Sequence, residues 1–197
     1  MSIRRVFSVQ NQGAALLALL FLLCPLASAQ ILKVPEVDVF GGYSYLRFGG
    51  SALGFPGAVN LNYGGTTEVS VNLYQGLGIV GDFSGHYAKD IQEYNSLIGA
   101  QYKFDVKDWH CYAHAMGGKA RTRLGSVGAS QAEPSSLGGA GLVGGGFELP
   151  WKERITLRPL QVDYLLNGAF GDRFSSIRVS SGIVFRLGRL PKKEPGL

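Results

Sequence analysis

The stretch SIRVSSGIVFRLG, Ser176 to Gly188, decides how the rest of the chain is read. Ile177, Val179, Ile183, Phe185 and Leu187 share one parity; Arg178, Ser180, Gly182 and Arg186 share the other, together with Val184. Period two marks a β-strand with one apolar and one polar face. Two folds accommodate such a strand. In a soluble sandwich the apolar face meets a core and the arginines meet water. In a membrane barrel the apolar face meets lipid and the arginines point inward.

The N-terminal segment favours export. Arg4 and Arg5 precede an apolar run from Ala14 to Leu23, and Ala27-Ser28-Ala29 follows, the layout of a secretory signal peptide. The run is too short for a comfortable membrane span of about 20 residues. Cleavage is expected after Ala29, so residues 1–29 form the signal, 30–188 a single domain, and 189–197 a short disordered tail rich in proline and lysine. Leu23 before Cys24 is not the small residue a lipid anchor needs. Cys111 is then the only remaining cysteine, which excludes an internal disulfide. The formal charge of +5 is modest and no basic cluster forms a patch, so nucleic acid is not an expected partner. No later segment is apolar enough for a transmembrane helix, so a membrane-spanning form requires a closed barrel.

Eight strands are expected, at about 36–48, 66–75, 78–88, 93–104, 109–121, 138–149, 154–167 and 175–187. Connections after the second, fourth and sixth are short. Those after the odd-numbered strands are polar or Gly-rich, and two of them, 49–65 and 122–137, are long. Long loops at one end and tight turns at the other characterise outer-membrane barrels. Aromatic residues gather at strand ends: Tyr45, Phe48, Tyr87, Tyr94, Phe170 and Phe174 at the loop end, and Tyr74, Phe104, Trp109, Trp151 and Phe185 at the turn end, as two interfacial belts would.

Parity assigns an interior. Asp38, Glu68, Asp82, His86, Lys103, Glu148, Arg158, Gln161, Asp163, Arg178 and Arg186 all oppose the apolar faces. Eight strands leave an interior just wide enough for side chains, and both charge signs occur there, so ion pairing is expected. Two strands need an irregularity. A bulge at Pro159 would put Arg158 and Gln161 on the same face, and a slip at Gly117-Gly118 would bring both His114 and Lys119 inside. The expected fold is therefore an all-β, eight-stranded antiparallel up-and-down transmembrane barrel filled by polar side chains rather than open as a pore.

The chain resembles small outer-membrane β-barrels of the OmpA-transmembrane-domain type, often called porin-like, over residues 36–188. VDVFGGYSYLRF (Val37–Phe48) is similar to that family's first strand, GIVGDFSGHY (Gly78–Tyr87) to its third and LRPLQVDYLL (Leu157–Leu166) to its seventh. The last strand resembles the family's insertion signal, with Ser180, Gly182, Phe185 and Leu187 in the signal positions. The resemblance implies an outer-membrane location in a Gram-negative envelope, insertion by the barrel assembly machinery, and contact with outer-membrane lipid and lipopolysaccharide. It implies structural, adhesive or surface-interaction work. The tail after the signal is too short for the wall-binding domain some relatives carry.

Two other chemistries merit weighing. Asp82, Ser84 and His86 share one face, and a serine–histidine–acid set can activate a nucleophile. Successive same-face residues on a strand lie about 6–7 Å apart, too far for direct relay, and the lipid-modifying hydrolases of similar fold carry their site on the lipid-facing side. His110, Cys111 and His114 suggest a metal, but a strand separates the histidines too far and no fourth ligand is evident. Neither cofactor nor metal is expected. A lipid-modifying hydrolase and a soluble lipocalin-like binder are the alternatives, and the side on which Ile177, Val179, Ile183 and Phe185 lie separates the latter from a membrane barrel.

Overall fold

The computed structural model describes residues 36–49, 57–89, 91–107, 109–125 and 134–187; the expected signal peptide and tail lie outside the described residues. Nine strands are present among them: β1 (Glu36–Phe48), β2 (Val59–Leu61), β3 (Tyr63–Tyr74), β4 (Leu77–Tyr87), β5 (Ile91–Val106), β6 (Trp109–Leu124), β7 (Ser135–Lys152), β8 (Ile155–Ala169) and β9 (Asp172–Leu187). All pairings are antiparallel. The eight long strands follow chain order, and β1 pairs with β9 from Val37↔Leu187 to Phe48↔Ser176, closing the sheet into a barrel. Closure removes both sheet edges, which would otherwise present unpaired backbone groups.

The short β2 corrects the sequence reading of 49–65 as one long loop. Its residues pair with the upper end of β1, Leu46↔Leu61 to Phe48↔Val59, and seat Leu61 in the interior. Several strands are also longer than expected, so the connection between β8 and β9 shrinks to Phe170-Gly171, with φ of 53° and 89°. The β3–β4 turn uses Gln75-Gly76, at 46° and 85°. Two successive positive φ angles suit a two-residue hairpin whose twist matches that of its strands.

The bulge in β8 falls at Pro159. Arg158 pairs with Gly182 and Gln161 with Ser180, so Pro159 and Leu160 together oppose Ser181. Proline has no N–H to offer a ladder and is accommodated at such a site. The extra residue keeps both Arg158 and Gln161 inside. The expected slip in β6, by contrast, does not occur. Its register with β5 runs unbroken from Val106↔Trp109 to Ile91↔Leu124, and that with β7 is equally continuous. Tyr112, His114, Met116, Ala120 and Thr122 therefore face in, while Lys119 faces out and is exposed. Two glycines in succession tolerate a bulge but do not cause one; strict alternation satisfies every backbone hydrogen bond without it.

The wall is inverted relative to a soluble barrel. Ile98 is 65% exposed, Ile177 48% and Phe185 49%, whereas Arg158 is 1% and Arg178 0% exposed. The interior is not wholly polar, which corrects a further expectation. Leu46, Phe48, Leu61, Ile91, Ala169 and Phe174 pack inside the loop half of the barrel and continue toward Val80, Leu97, Met116, Leu142 and Leu165. Phe48 and Phe174, expected in the outer belt, stack against each other inside at 5.5 Å between ring centroids. Tyr43, Tyr63, Tyr87 and Phe170 are exposed at the loop end, and Tyr74, Phe104, Trp109, Trp151 and Phe185 at the turn end.

Where large side chains fill the interior, facing strands carry glycine. Gly42 and Gly182 pair across the β1–β9 seam, and a Cβ on Gly182 would meet the ring of Phe40 at 2.8 Å and the backbone of Gly41. Phe40 cannot retreat, because the Arg158 guanidinium lies over it at 4.1 Å. Gly182→Ala is expected to cost about 1–3 kcal/mol by overpacking, read as a lower urea midpoint for the detergent-refolded barrel, and Gly182→Val to prevent the folded band on an unheated gel.

Candidate functional site: the barrel interior and its rims

Two arginines organise the interior. Arg178 projects from β9 and reaches strands on both sides of the lumen. Its guanidinium pairs with Asp82 on β4 at 2.9 Å and with Asp163 on β8 at 2.8 Å, and donates to the Ser84 hydroxyl at 3.0 Å. Thr66 donates to Asp82 at 2.9 Å, and the His114 ring meets Asp163 at 2.7 Å. Arg158 projects from β8 and pairs with Glu148 at 2.7 Å and Glu68 at 2.5 Å. It lies between the faces of Phe40 and Tyr112, 4.1 and 4.4 Å from their centroids. Such stacking suits the planar guanidinium, which carries charge but is weakly hydrated.

Gln161 joins the two centres. Its carbonyl oxygen accepts from Arg158 and from the Tyr112 hydroxyl, both at 2.8 Å, and its amide donates to Glu68 and to Asp163. At the turn end Lys103 pairs with Asp38, and Arg186 with Asp38 and Glu36. Toward the loop end His86 shares a hydrogen bond with Ser44 at 2.8 Å, and Ser44 another with Ser180 at 2.9 Å across the seam. Asn95 and Asn167 both donate to Glu93. Moving unpaired charges out of water costs several kcal/mol each; here each arginine contacts at least two carboxylates.

Parity brings out most of the charged members; Ser44, Thr66, Glu93, Tyr112 and Asn167 join them in the structure. Glu93 and Asn167 fall on the polar parity of their strands and were legible by the same rule. Tyr112 and Phe40 were not, because an aromatic residue on a strand fits either face. The four positions of the expected insertion signal divide between the surfaces: Ser180 and Gly182 face in, and Phe185 and Leu187 face out, each about half exposed.

The serine–histidine–acid trio has no relay geometry. Ser84 is bonded to Arg178, His86 to Ser44, and Asp82 to Arg178 and Thr66, with all three residues buried. His110 pairs with Asp105 at the turn rim while His114 lies inside against Asp163. Among the described residues no group of three or more histidine, cysteine or acidic side chains is placed to hold a metal. At the loop rim a shallow open pocket of about 390 Å³ is lined by Asn60, Asn62, Tyr63, Tyr87 and Lys89, among others.

A closed eight-stranded antiparallel barrel with an ion-paired interior and an apolar outer wall is the architecture of a transmembrane β-barrel. Solved outer-membrane barrels share it. Over 78% of this chain and 97% of the other, the fold is similar to Neisserial surface protein A, with a TM-score of 0.57 and 15% identity. It is similar to Ail, the attachment invasion locus protein of Yersinia pestis, over 77% of this chain and 99% of that one (TM-score 0.52, 13% identity). It is also similar to the N-terminal β-barrel domain of Pseudomonas aeruginosa OprF, over 77% and 97% (TM-score 0.51, 9% identity). At these identities the likeness is one of fold. No family model and no curated protein matches the sequence.

Breaking the Arg178 bridge tests the network. Arg178→Met leaves Asp82 and Asp163 buried without their cation and is expected to destabilise by about 3–5 kcal/mol. Arg178→Met combined with Asp82→Asn and Asp163→Asn should recover much of that loss. Urea unfolding of the detergent-refolded barrels, followed by tryptophan fluorescence, measures both.

Proposed function

We propose that the protein is an integral outer-membrane barrel, non-enzymatic, exported by its N-terminal signal and working as a structural, adhesive or surface-interaction element. The observation that carries this is the inversion of the wall: isoleucine, phenylalanine or valine faces out on every long strand except β6, whose outer face is small in its middle at Ala113, Ala115 and Gly117, while Arg158 and Arg178 are sealed inside. Water would penalise such a surface across its whole circumference, and hydrocarbon would not. An interior at 0–1% exposure around Arg178, Glu148 and Gln161 argues against conduction of solutes. Burial of Asp82, Ser84 and His86, each engaged elsewhere, argues against a hydrolase.

Outer-membrane lipid and lipopolysaccharide are the proposed surroundings, and the barrel assembly machinery the proposed partner during insertion. The tyrosine- and asparagine-lined pocket at the loop rim supports a role in contacting an external partner, since loops on a rigid scaffold commonly carry recognition.

The protein is expected to fractionate with outer membranes and to migrate faster unheated than boiled. Recovery from the soluble periplasm without detergent would overturn the membrane assignment, and discrete conductance steps in a planar bilayer would overturn the closed lumen. For the insertion signal, Phe185→Ala should lower the amount of folded protein in cells far more than it lowers stability in detergent. Loss of one lipid-facing ring costs only about 2–3 kcal/mol. Equal losses in both settings would assign Phe185 to stability alone.

A further inference from the structure

The unbroken register of β6 leaves three basic side chains in succession on the outer wall: Lys119, Arg121 and Arg123. Their heights are set by the strand. Trp109, exposed, marks the turn-end belt of β6, and Lys119 is ten residues further on. At a rise of ~3.3 Å per residue and a tilt of ~40°, that separation is about 25 Å along the barrel axis, the height of a barrel's apolar band. Lys119 thus stands at the upper edge of the hydrocarbon, with Arg121 and Arg123 in the headgroup layer above it.

Among the described residues no carboxylate neutralises them. No outward-facing position of the described strands carries a carboxylate, and no ion pair joins the three to an acid among the described residues. Their register partners are uncharged: Ser96, Tyr94 and Gln92 on β5, and Gly139, Leu137 and Ser135 on β7. Arg123 lies 5.9 Å from the Tyr94 centroid, which orients its guanidinium along the wall. Below Lys119 the β6 face is small, with Gly117, Ala115 and Ala113 forming a shallow groove between Ile98 and Tyr102 on β5 and Val143 on β7. Acyl chains could lie close against the backbone there.

We propose that Lys119, Arg121 and Arg123 bind the phosphate groups of an anionic glycolipid in the loop-end leaflet, holding one such lipid at a fixed sector of the barrel. The proposal rests on the membrane assignment above. Phosphate suits the ladder because it accepts several charge-assisted hydrogen bonds at once, and arginine donates them as a fork. A glycolipid with two phosphates on its sugars can engage more than one of three cations that span about 13 Å from Lys119 to Arg123. Arg47, exposed on β1, supplies an internal comparison: β1 lies diametrically opposite β6 in the strand order, and Arg47 is likewise ten residues from the start of its outward series at Val37.

The test uses the full barrel in nanodiscs of zwitterionic phospholipid, titrated with fluorescent bis-phosphorylated lipid A and with the same lipid after enzymatic dephosphorylation. Failure of the wild-type chain to enter the disc with a heat-shifted band would remove the membrane assignment and the proposal with it. Given insertion, Lys119→Gln/Arg121→Gln/Arg123→Gln is expected to weaken phosphorylated lipid A by on the order of 100-fold, and Arg121→Gln alone by about fivefold. Arg47→Gln should stay within about twofold of wild type, well below the roughly fivefold worth of a basic residue that does hold the headgroup. The dephosphorylated lipid should bind wild type no better than the phosphorylated lipid binds the triple variant, and millimolar inorganic phosphate should not compete. Wild-type affinity in the triple variant would overturn the site. So would equal losses from Arg47→Gln, which mean general attraction, equal binding of the dephosphorylated lipid, which means acyl contact only, or competition by free phosphate, which means a small-anion site.

Discussion

The Arg178 guanidinium, held between Asp82 and Asp163, is the constraint around which the barrel is organised. It ties β9 to β4 across the lumen and to β8 beside it, and through Asp163 and Gln161 it joins the second centre at Arg158. A sheet of eight long strands has no layer behind it to pack against. Its outer face meets lipid, which offers little driving force between apolar groups, so cohesion must come from backbone hydrogen bonds and from the interior. The ionic network supplies directional cross-links there, and the apolar cluster around Phe48 and Phe174 fills the loop half. The glycines at 42 and 182 are part of the same arrangement, because the space they leave is taken by Phe40 and the guanidinium stacked on it.

The fold was legible largely because lipid enforces the same alternation that a sheet makes visible. Once Ile177, Val179, Ile183 and Phe185 were read as an outer face, the arginines between them had one place to go. The Pro159 bulge was equally readable, since Arg158 and Gln161 could share a face in no other way. Polarity stops being a guide to direction at the membrane interface and at strand ends. Lys119 was drawn inward by the rule that charge belongs inside, although at the height of the headgroups a charge belongs equally well outside. Phe48 and Phe174 were assigned to the outer belt by the same kind of rule, although an aromatic ring at a strand end can close the lumen as readily as face lipid. The strand β2 escaped notice because three residues carry no measurable period.

The interior network was legible as a set of residues and not as a set of contacts. Parity places Glu68, Asp82, Asp163 and Arg178 on inner faces, but which carboxylate meets which arginine depends on strand tilt and stagger. Those follow from the register of every pair around the circle. Gln161 was placed inside by parity, but not as the bridge between the two arginine centres, and Tyr112, which donates to it, carries no formal charge and gave no signal.

Closure has a consequence for biogenesis. The seam joins the first strand of the domain to the last, with Ser44 meeting Ser180 across 136 positions of sequence. Contacts of such long range form slowly, because the chain must surrender loop entropy before any of them is rewarded. Until β9 is in place, Asp82 and Asp163 lack the Arg178 cation, and any partial sheet exposes two unpaired edges together with an apolar face. Such a species would aggregate rather than wait. A chain of this design therefore commits to structure only when its final strand is in place, and the whole sheet forms as one event.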